Sequence, residues 1–231
     1  MSTYHSKKAK EFLKDPKKVE RHDRTFWSLR QKRDAAAAEL PEWEDLREHA
    51  SRIKEHTATH LADYLEQFSN SLERNGVIVH FAKDAQEFNE MVYGILESHK
   101  VKKLVKSKSM LTEECEMNPY LIKRGINVVE SDLGERILQL MHLKPAHIVM
   151  PAIHLTRDEI GEMFEEKGIS KEKGNHDPAY LTRCAREDLR GDFMDADAGL
   201  TGCNFGVAAT GDCVVCTNEG NADMSTSVPK L

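Results

Sequence analysis

Several short stretches of this 231-residue chain concentrate side chains that could do chemistry. Lys106-Ser107-Lys108-Ser109-Met110-Leu111-Thr112-Glu113 puts lysines and hydroxyls between a short apolar run and a helix start. That arrangement suits an anion, because the first turn of a helix presents unpaired N–H groups. It also suits an ordinary capped helix with solvated lysines. Glu130-Ser131-Asp132-Leu133-Gly134-Glu135-Arg136 holds three carboxylates within six residues. Two carboxylates that share a site can keep one protonated for acid–base work, and Asp132 and Glu135 can equally cap the helix that follows. His154, in Pro151-Ala152-Ile153-His154, could face a ligand or simply bond a nearby backbone group.

Two further clusters lie near the end of the chain. Gly199-Leu200-Thr201-Gly202-Cys203-Asn204-Phe205-Gly206 lets backbone approach a ligand closely. Thr217-Asn218-Glu219-Gly220-Asn221 sets a carboxylate between two amides, with Glu219 a candidate nucleophile or base, or else forms a hydrogen-bonded turn. Cys213 and Cys216 have C-x-x-C spacing, yet in a strand they point to opposite faces, and neither a second pair nor a histidine partner has zinc spacing. The expectation is no metal in this chain.

These residues need a scaffold, and the hydrophobic pattern supplies one. Val77–Phe81, Lys103–Lys106, Ile126–Glu130 and His147–Met150 are short and apolar, and they alternate with helical stretches at Asp84–Leu96, Glu113–Arg124, Leu133–Leu140 and Asp158–Lys167. Strand-then-helix repetition predicts an α/β fold, a mostly parallel sheet flanked by helices. In such a sheet ligands bind beyond the carboxyl ends of the strands, which is where the polar clusters fall. Pro178–Gly191 reads as a further helix, and Val207–Thr217 as two short strands joined at Thr210-Gly211-Asp212. Ahead of the sheet, residues 1–75 read as a helical extension: a charged stretch with Pro41 as a break, then a long amphipathic helix from Glu42 to Leu72 closed by Gly76. Residues 76–231 form the α/β domain.

Composition narrows the function classes. Thirty-three basic against 39 acidic residues give a net charge of −6, so there is no basic field to hold nucleic acid. No apolar stretch reaches the ~20 residues of a membrane span. Five cysteines, an odd number in a chain of this size, point to a reducing compartment and a cytoplasmic protein. No G-x-G-x-x-G follows a predicted strand, so a dinucleotide site is not indicated.

Taken together, Val105-Lys106-Ser107-Lys108-Ser109-Met110, Val129-Glu130-Ser131-Asp132-Leu133-Gly134-Glu135, Pro151-Ala152-Ile153-His154, Ala196–Asn204 and Thr217–Asn221 resemble the lactate utilization protein B family, over nearly the whole chain. The resemblance implies a LUD domain with a fold like that of NagB, RpiA and the CoA transferases. It implies an iron–sulfur oxidoreductase subunit of L-lactate oxidation to pyruvate, with partners resembling lactate utilization proteins A and C. It also implies two 4Fe-4S clusters in a C-terminal ferredoxin-like domain that this sequence, ending at Val228-Pro229-Lys230-Leu231, does not contain; the cut is expected to expose a sheet edge and lower solubility. Glu219 resembles the glutamate on which CoA transferases carry an acyl group. The expectation is one pocket for a small carboxylate or phosphate-bearing ligand, lined by Lys106, Ser107, Ser109, Glu130, Asp132, Asn204, Thr217, Asn218, Gly220 and Asn221, with Glu219 as its catalytic residue. The alternatives are an acyl- or CoA-transferase acting through Glu219, and a non-catalytic interaction domain.

Overall fold

The computed structural model describes residues 3–231, without the side chains of residues 3–5 and 8. The chain divides into two units, 1–65 and 66–231. The first is helical: α1 (Thr3–Phe12), α2 (Pro16–Ala38), α3 (Trp43–Thr59) and the start of α4 (Leu61–Arg74). Asp15 fixes the entry to α2, its carboxylate accepting the Lys17 and Lys18 N–H groups ahead of a proline that needs no partner. Pro41 separates α2 from α3 as predicted. The single helix expected from Glu42 to Leu72 is instead two, broken at His60. Just before the break the hydroxyls of Thr57 and Thr59 bond back to the carbonyls of Ile53 and Glu55, a contact that bends helices.

The second unit is built on a parallel sheet with strand order β2-β1-β3: β1 (Lys103–Lys106), β2 (Asn127–Glu130) and β3 (Ala198–Leu200). Leu104 pairs with Val128 on one side and Ala198 on the other, and Lys106 with Glu130 and Leu200. Helices cover both faces, as expected of the α/β class. Because side chains alternate along a strand, Leu104 and Val105 enter different layers. Leu104, fully buried, meets Leu96 of α5 (Ala85–Ser98) and Met117 and Leu121 of α7 (Met117–Ile122). Val105, also fully buried, meets Leu189 and Phe193 of α10 (Pro178–Asp195). A third cluster joins Ile137 of α8 (Leu133–Met141) to Met163 and Phe164 of α9 (Arg157–Glu166) and Leu181 of α10.

Two expected strands are absent and one unexpected strand is present. Val77–Phe81 runs without a strand partner, leaving Ile78 and Phe81 exposed. His147–Met150 turns instead of extending, because the His147 ring nitrogen accepts the N–H groups of Val149 and Met150. The third strand of the sheet is β3, from a small, glycine-rich segment in which no strand was expected. Its Gly199 is required: a Cβ there would stand 1.6 Å from the carbonyl oxygen of Ser225 in α11 (Asn221–Ser227), so helix and strand touch backbone to backbone. Leu231 adds to the outer edge of β3, donating to Asp197 O and accepting from Gly199 N–H.

The helix expected over Glu113–Arg124 is two short ones, α6 (Met110–Glu114) and α7, because Glu116 takes a left-handed conformation between them. The expected hairpin forms as β4 (Phe205–Val207) and β5 (Asp212–Val214), two residues earlier than read, with Gly211 at φ +79. It sits on the end of α4, where Ser71 donates to Ala208 O and Phe68 lies over Gly206.

Candidate functional site

All three parallel strands end on hydroxyl-bearing residues. Ser107 follows β1, Ser131 follows β2 and Thr201 follows β3, and the ladder continues one step into them through Ser107 N–H to Leu200 O and Ser131 N–H to Lys106 O. The Ser107 and Thr201 hydroxyls meet at 2.6 Å. Above them opens a cleft of about 840 Å³. Ser107, Thr201 and Thr112 form its floor, and Lys108, Ser109, Asp132, Asn204, Thr217, Asn218, Glu219 and Asn221 line it above. A volume of that order accommodates a small ligand.

Of the residues expected in one pocket, Ser107, Ser109, Asp132, Asn204, Thr217, Asn218, Glu219 and Asn221 line this cleft. Gly220 stands between two of them as the cap of α11, at φ +74. Lys106 and Glu130 do not reach it. Their side chains point beneath the floor, at 0% and 4% exposure. Lys108, Thr112 and Thr201 also line the cleft; the segments that hold them were singled out in the sequence, but these residues were not among those expected to line the pocket. A signal for Thr201 was present: a hydroxyl directly after Ala198-Gly199-Leu200 marks a strand end once that segment is read as a strand.

The cleft is electrostatically mixed. Lys108 is its cation, tied through Nζ to the Val149 carbonyl at 2.8 Å. Glu219 accepts the Leu133 N–H at 3.3 Å, at the start of α8. Its side chain reaches solvent, but protein crowding on its inner side raises its pKa above the usual carboxylate value, and the charge of Asp132 adds to this. The Leu133 N–H and Lys108 pull the other way without cancelling it. Asp132 both lines the cleft and caps α8, accepting the Glu135 N–H at 3.0 Å.

Beneath the floor is a second cluster, buried except at Glu113. The Lys106 ammonium lies 3.0 Å from Glu130, 3.4 Å from Glu113, 3.8 Å from Glu135 and 3.1 Å from the Thr112 hydroxyl. Asn118 donates to the same Glu130 oxygen. Burial alone would lower the lysine pKa, and the charges of Glu130 and Glu135 outweigh it, so Lys106 stays charged. Two buried carboxylates, Glu130 and Glu135, crowd this ammonium beside the partly exposed Glu113, and Glu135 gives way: burial first and then the Glu130 charge push its pKa to about 8, against Lys106. The two carboxylates that share a site are thus Glu130 and Glu135. Carboxylate oxygens of Glu113, Glu130 and Glu135 lie within 4.8 Å of one another, a spacing that could hold a metal ion, and the ammonium of Lys106 lies beside all three.

The cysteines do not fit an iron–sulfur cluster, which takes four thiolates around one centre. Cys184 is buried in the core and Cys115 is half-buried, while Cys203, Cys213 and Cys216 are exposed. Among the described residues no three groups that include a cysteine bring their ligand atoms within 4.8 Å.

An open parallel sheet whose strand ends converge on a polar cleft defines an α/β domain. Residues 65–231 match the LUD domain family, and the chain belongs to that family. It is 47% identical over 203 residues to lactate utilization protein B of Bacillus pumilus (strain SAFR-032), covering 87% of this chain and 42% of that protein. It is 47% identical over 202 residues to lactate utilization protein B of Oceanobacillus iheyensis, and 45% identical over 201 residues to that of an Exiguobacterium strain, with the same coverages. The chain therefore spans less than half the length of these relatives. No solved structure matches it.

Proposed function

We propose that this chain is the ligand-binding portion of an iron–sulfur oxidoreductase subunit that acts in lactate utilization, in the cytoplasm, and that its strand-end cleft receives the carboxylate of a small 2-hydroxy or 2-oxo acid. The observation that carries this reading is the facing Ser107 and Thr201 hydroxyls at the ends of adjacent parallel strands, beneath Lys108. Hydroxyls and an ammonium are the donors a carboxylate needs. Burial and the Asp132 charge raise the pKa of Glu219, which eases the approach of an anionic ligand. The relatives' names support the lactate side of the reading. The 4Fe-4S clusters are assigned to sequence outside these residues, and proteins resembling lactate utilization proteins A and C are its partners in oxidising L-lactate to pyruvate.

Calorimetric titration with L-lactate, pyruvate and acetate tests the site. Saturable binding of the first two, weakened at least tenfold in a Ser107→Ala/Thr201→Val double variant that melts like the parent, is the expected result. No binding of either acid, with no thermal stabilisation by any carboxylate, nucleotide or CoA compound, would leave a non-catalytic interaction domain, since a ligand specific to the folded state must raise its melting temperature. A second reading rests on Glu219 itself, a carboxylate open to the cleft between Asn218 and Asn221. As an acyl acceptor in a CoA-transferase-like reaction it would yield a hydroxylamine-sensitive adduct from an acyl-CoA, and Glu219→Gln would abolish that adduct.

A further inference from the structure

The cleft is larger than the acid assigned to its floor. A volume of about 840 Å³ is in the range that ordinarily buries a drug-sized molecule, whereas the facing hydroxyls and Lys108 engage only a carboxylate. Much of the remaining lining is apolar, and three elements place it. On α5, Phe88 and Val92 stand one turn apart and share a face of the helix, which is pinned where Asn89 donates to Cys115 O at 2.7 Å. Leu111, in the first turn of α6, follows closely on Ser109. Ile148 and Val149 belong to the turn built on the His147 ring, and Lys108 Nζ donates to the Val149 carbonyl at 2.8 Å, which sets that turn beside the cation. Leu111, Ile148 and Val149 are 58%, 65% and 72% exposed. Single exposed apolar side chains are ordinary, but several lining one cleft above polar groups have the make-up of a ligand groove.

On the reading of the floor as a carboxylate site, we infer that the preferred acid carries an aliphatic side chain longer than the methyl group of lactate, and that Phe88, Val92, Leu111, Ile148 and Val149 hold that chain. The ligand class is a 2-hydroxy or 2-oxo acid with a hydrocarbon tail. Its carboxylate meets the Ser107 and Thr201 hydroxyls and the Lys108 ammonium, and its tail leaves on the side where Lys108 is tied to Val149. Binding then removes apolar surface of both the tail and the cleft from water, and this is the source of the affinity gained over a three-carbon acid. Each buried methylene contributes a gain of up to about fourfold. The same side chains set the specificity, because a three-carbon acid fills the polar end of the cleft and leaves Leu111, Ile148 and Val149 in water.

Calorimetric titration of the whole chain with L-lactate, L-2-hydroxybutanoate, L-2-hydroxypentanoate and L-2-hydroxyhexanoate is the test. Affinity is expected to rise at each step, reaching at least about tenfold over lactate for 2-hydroxyhexanoate. In a Leu111→Ser/Ile148→Ser double variant, whose replaced side chains face solvent and whose folding is checked by its melting temperature, that ratio should fall at least about threefold. Lactate binding with no gain along the series would overturn the long-chain class and leave the carboxylate site standing, whereas no binding by any of the acids would overturn both. A ratio unchanged in the folded double variant would place the tail elsewhere and overturn the assignment of these residues. Hexanol, which has the chain without the carboxylate, should bind far more weakly than 2-hydroxyhexanoate. Equal binding of the two would mark the apolar lining as a surface for another protein segment and sink the proposal.

Discussion

Replacing Glu135 by glutamine tests the charged cluster under the cleft. The carboxyl of Glu135 is raised to about 8 from 4.5, through burial and the neighbouring Glu130 charge. A carboxyl raised in the folded state binds its proton more tightly folded than unfolded. It therefore contributes stability that is fully present below the unfolded pKa and is lost as the pH rises through the folded one. At about 1.36 kcal/mol per pH unit, the loss between those limits amounts to roughly 5 kcal/mol. That is comparable to the whole stability of many domains, which runs from about 5 to 15 kcal/mol. Glutamine keeps the shape and the ability to donate to Glu130 but has no proton to lose. The stability of Glu135→Gln minus that of the parent should therefore swing in favour of the variant by several kcal/mol between about pH 5 and about pH 8, and stay level above that. Other titrating groups largely cancel in this difference. Urea unfolding followed by circular dichroism is the assay, because both tryptophans, Trp27 and Trp43, lie in the first unit and do not report on the sheet. A difference independent of pH would mean that Glu135 is ionised throughout, and the charge assignment of the cluster would be wrong.

Lys106→Met keeps most of the buried stem and removes the charge, leaving Glu130 and Glu113 without their cation; a loss of about 3–5 kcal/mol in the same assay is expected, and a loss below about 1 kcal/mol would contradict the cluster's geometry. Gly199→Ala drives a methyl into the Ser225 carbonyl, so β3 and α11 must separate. It should cost more than the ~1–3 kcal/mol typical of overpacking, with faster hydrogen exchange confined to α11 and the β3 edge, and unchanged exchange there would refute the backbone contact.

How much of this was legible in the sequence depends on what decides each element. β1 and β2 were readable because Leu104, Val105, Val128 and Val129 are apolar on both faces, the signature of a strand covered on both sides. β3 was not, since Ala198-Gly199-Leu200 is small only because α11 must touch it, a tertiary demand that local pattern does not encode. Val77–Phe81 carries strong strand propensity and found no strand to pair with, and propensity without a partner does not make a sheet. The cleft itself was largely visible, because polar residues clustered after apolar runs mark strand ends. Lys106 and Glu130 were misplaced for a related reason. They are the last residues of their strands and their side chains turn under the floor, whereas Ser107, one position further on, lines the cleft, and Asp132 reaches it from the cap of α8. A one-residue step reverses the face, and only the register fixes which side is which.

The place of β3 in the sheet also bears on how the domain is made. β1 and β2 pair across a short crossover, but β1 meets β3 from residues such as Ser107 and Thr201, 94 positions apart. Folding rates fall as contacts become more distant in sequence. The β1–β2 half with α5 and α7 can therefore assemble early, while closure of the sheet waits on its most non-local strand pairing. α11 and the bridge at Leu231 depend on β3 being in place, so the part of the cleft lined by Asn221 should form late. Until then the exposed side of β1 is an open strand flank, and the interval before β3 docks is when this domain would most need a chaperone.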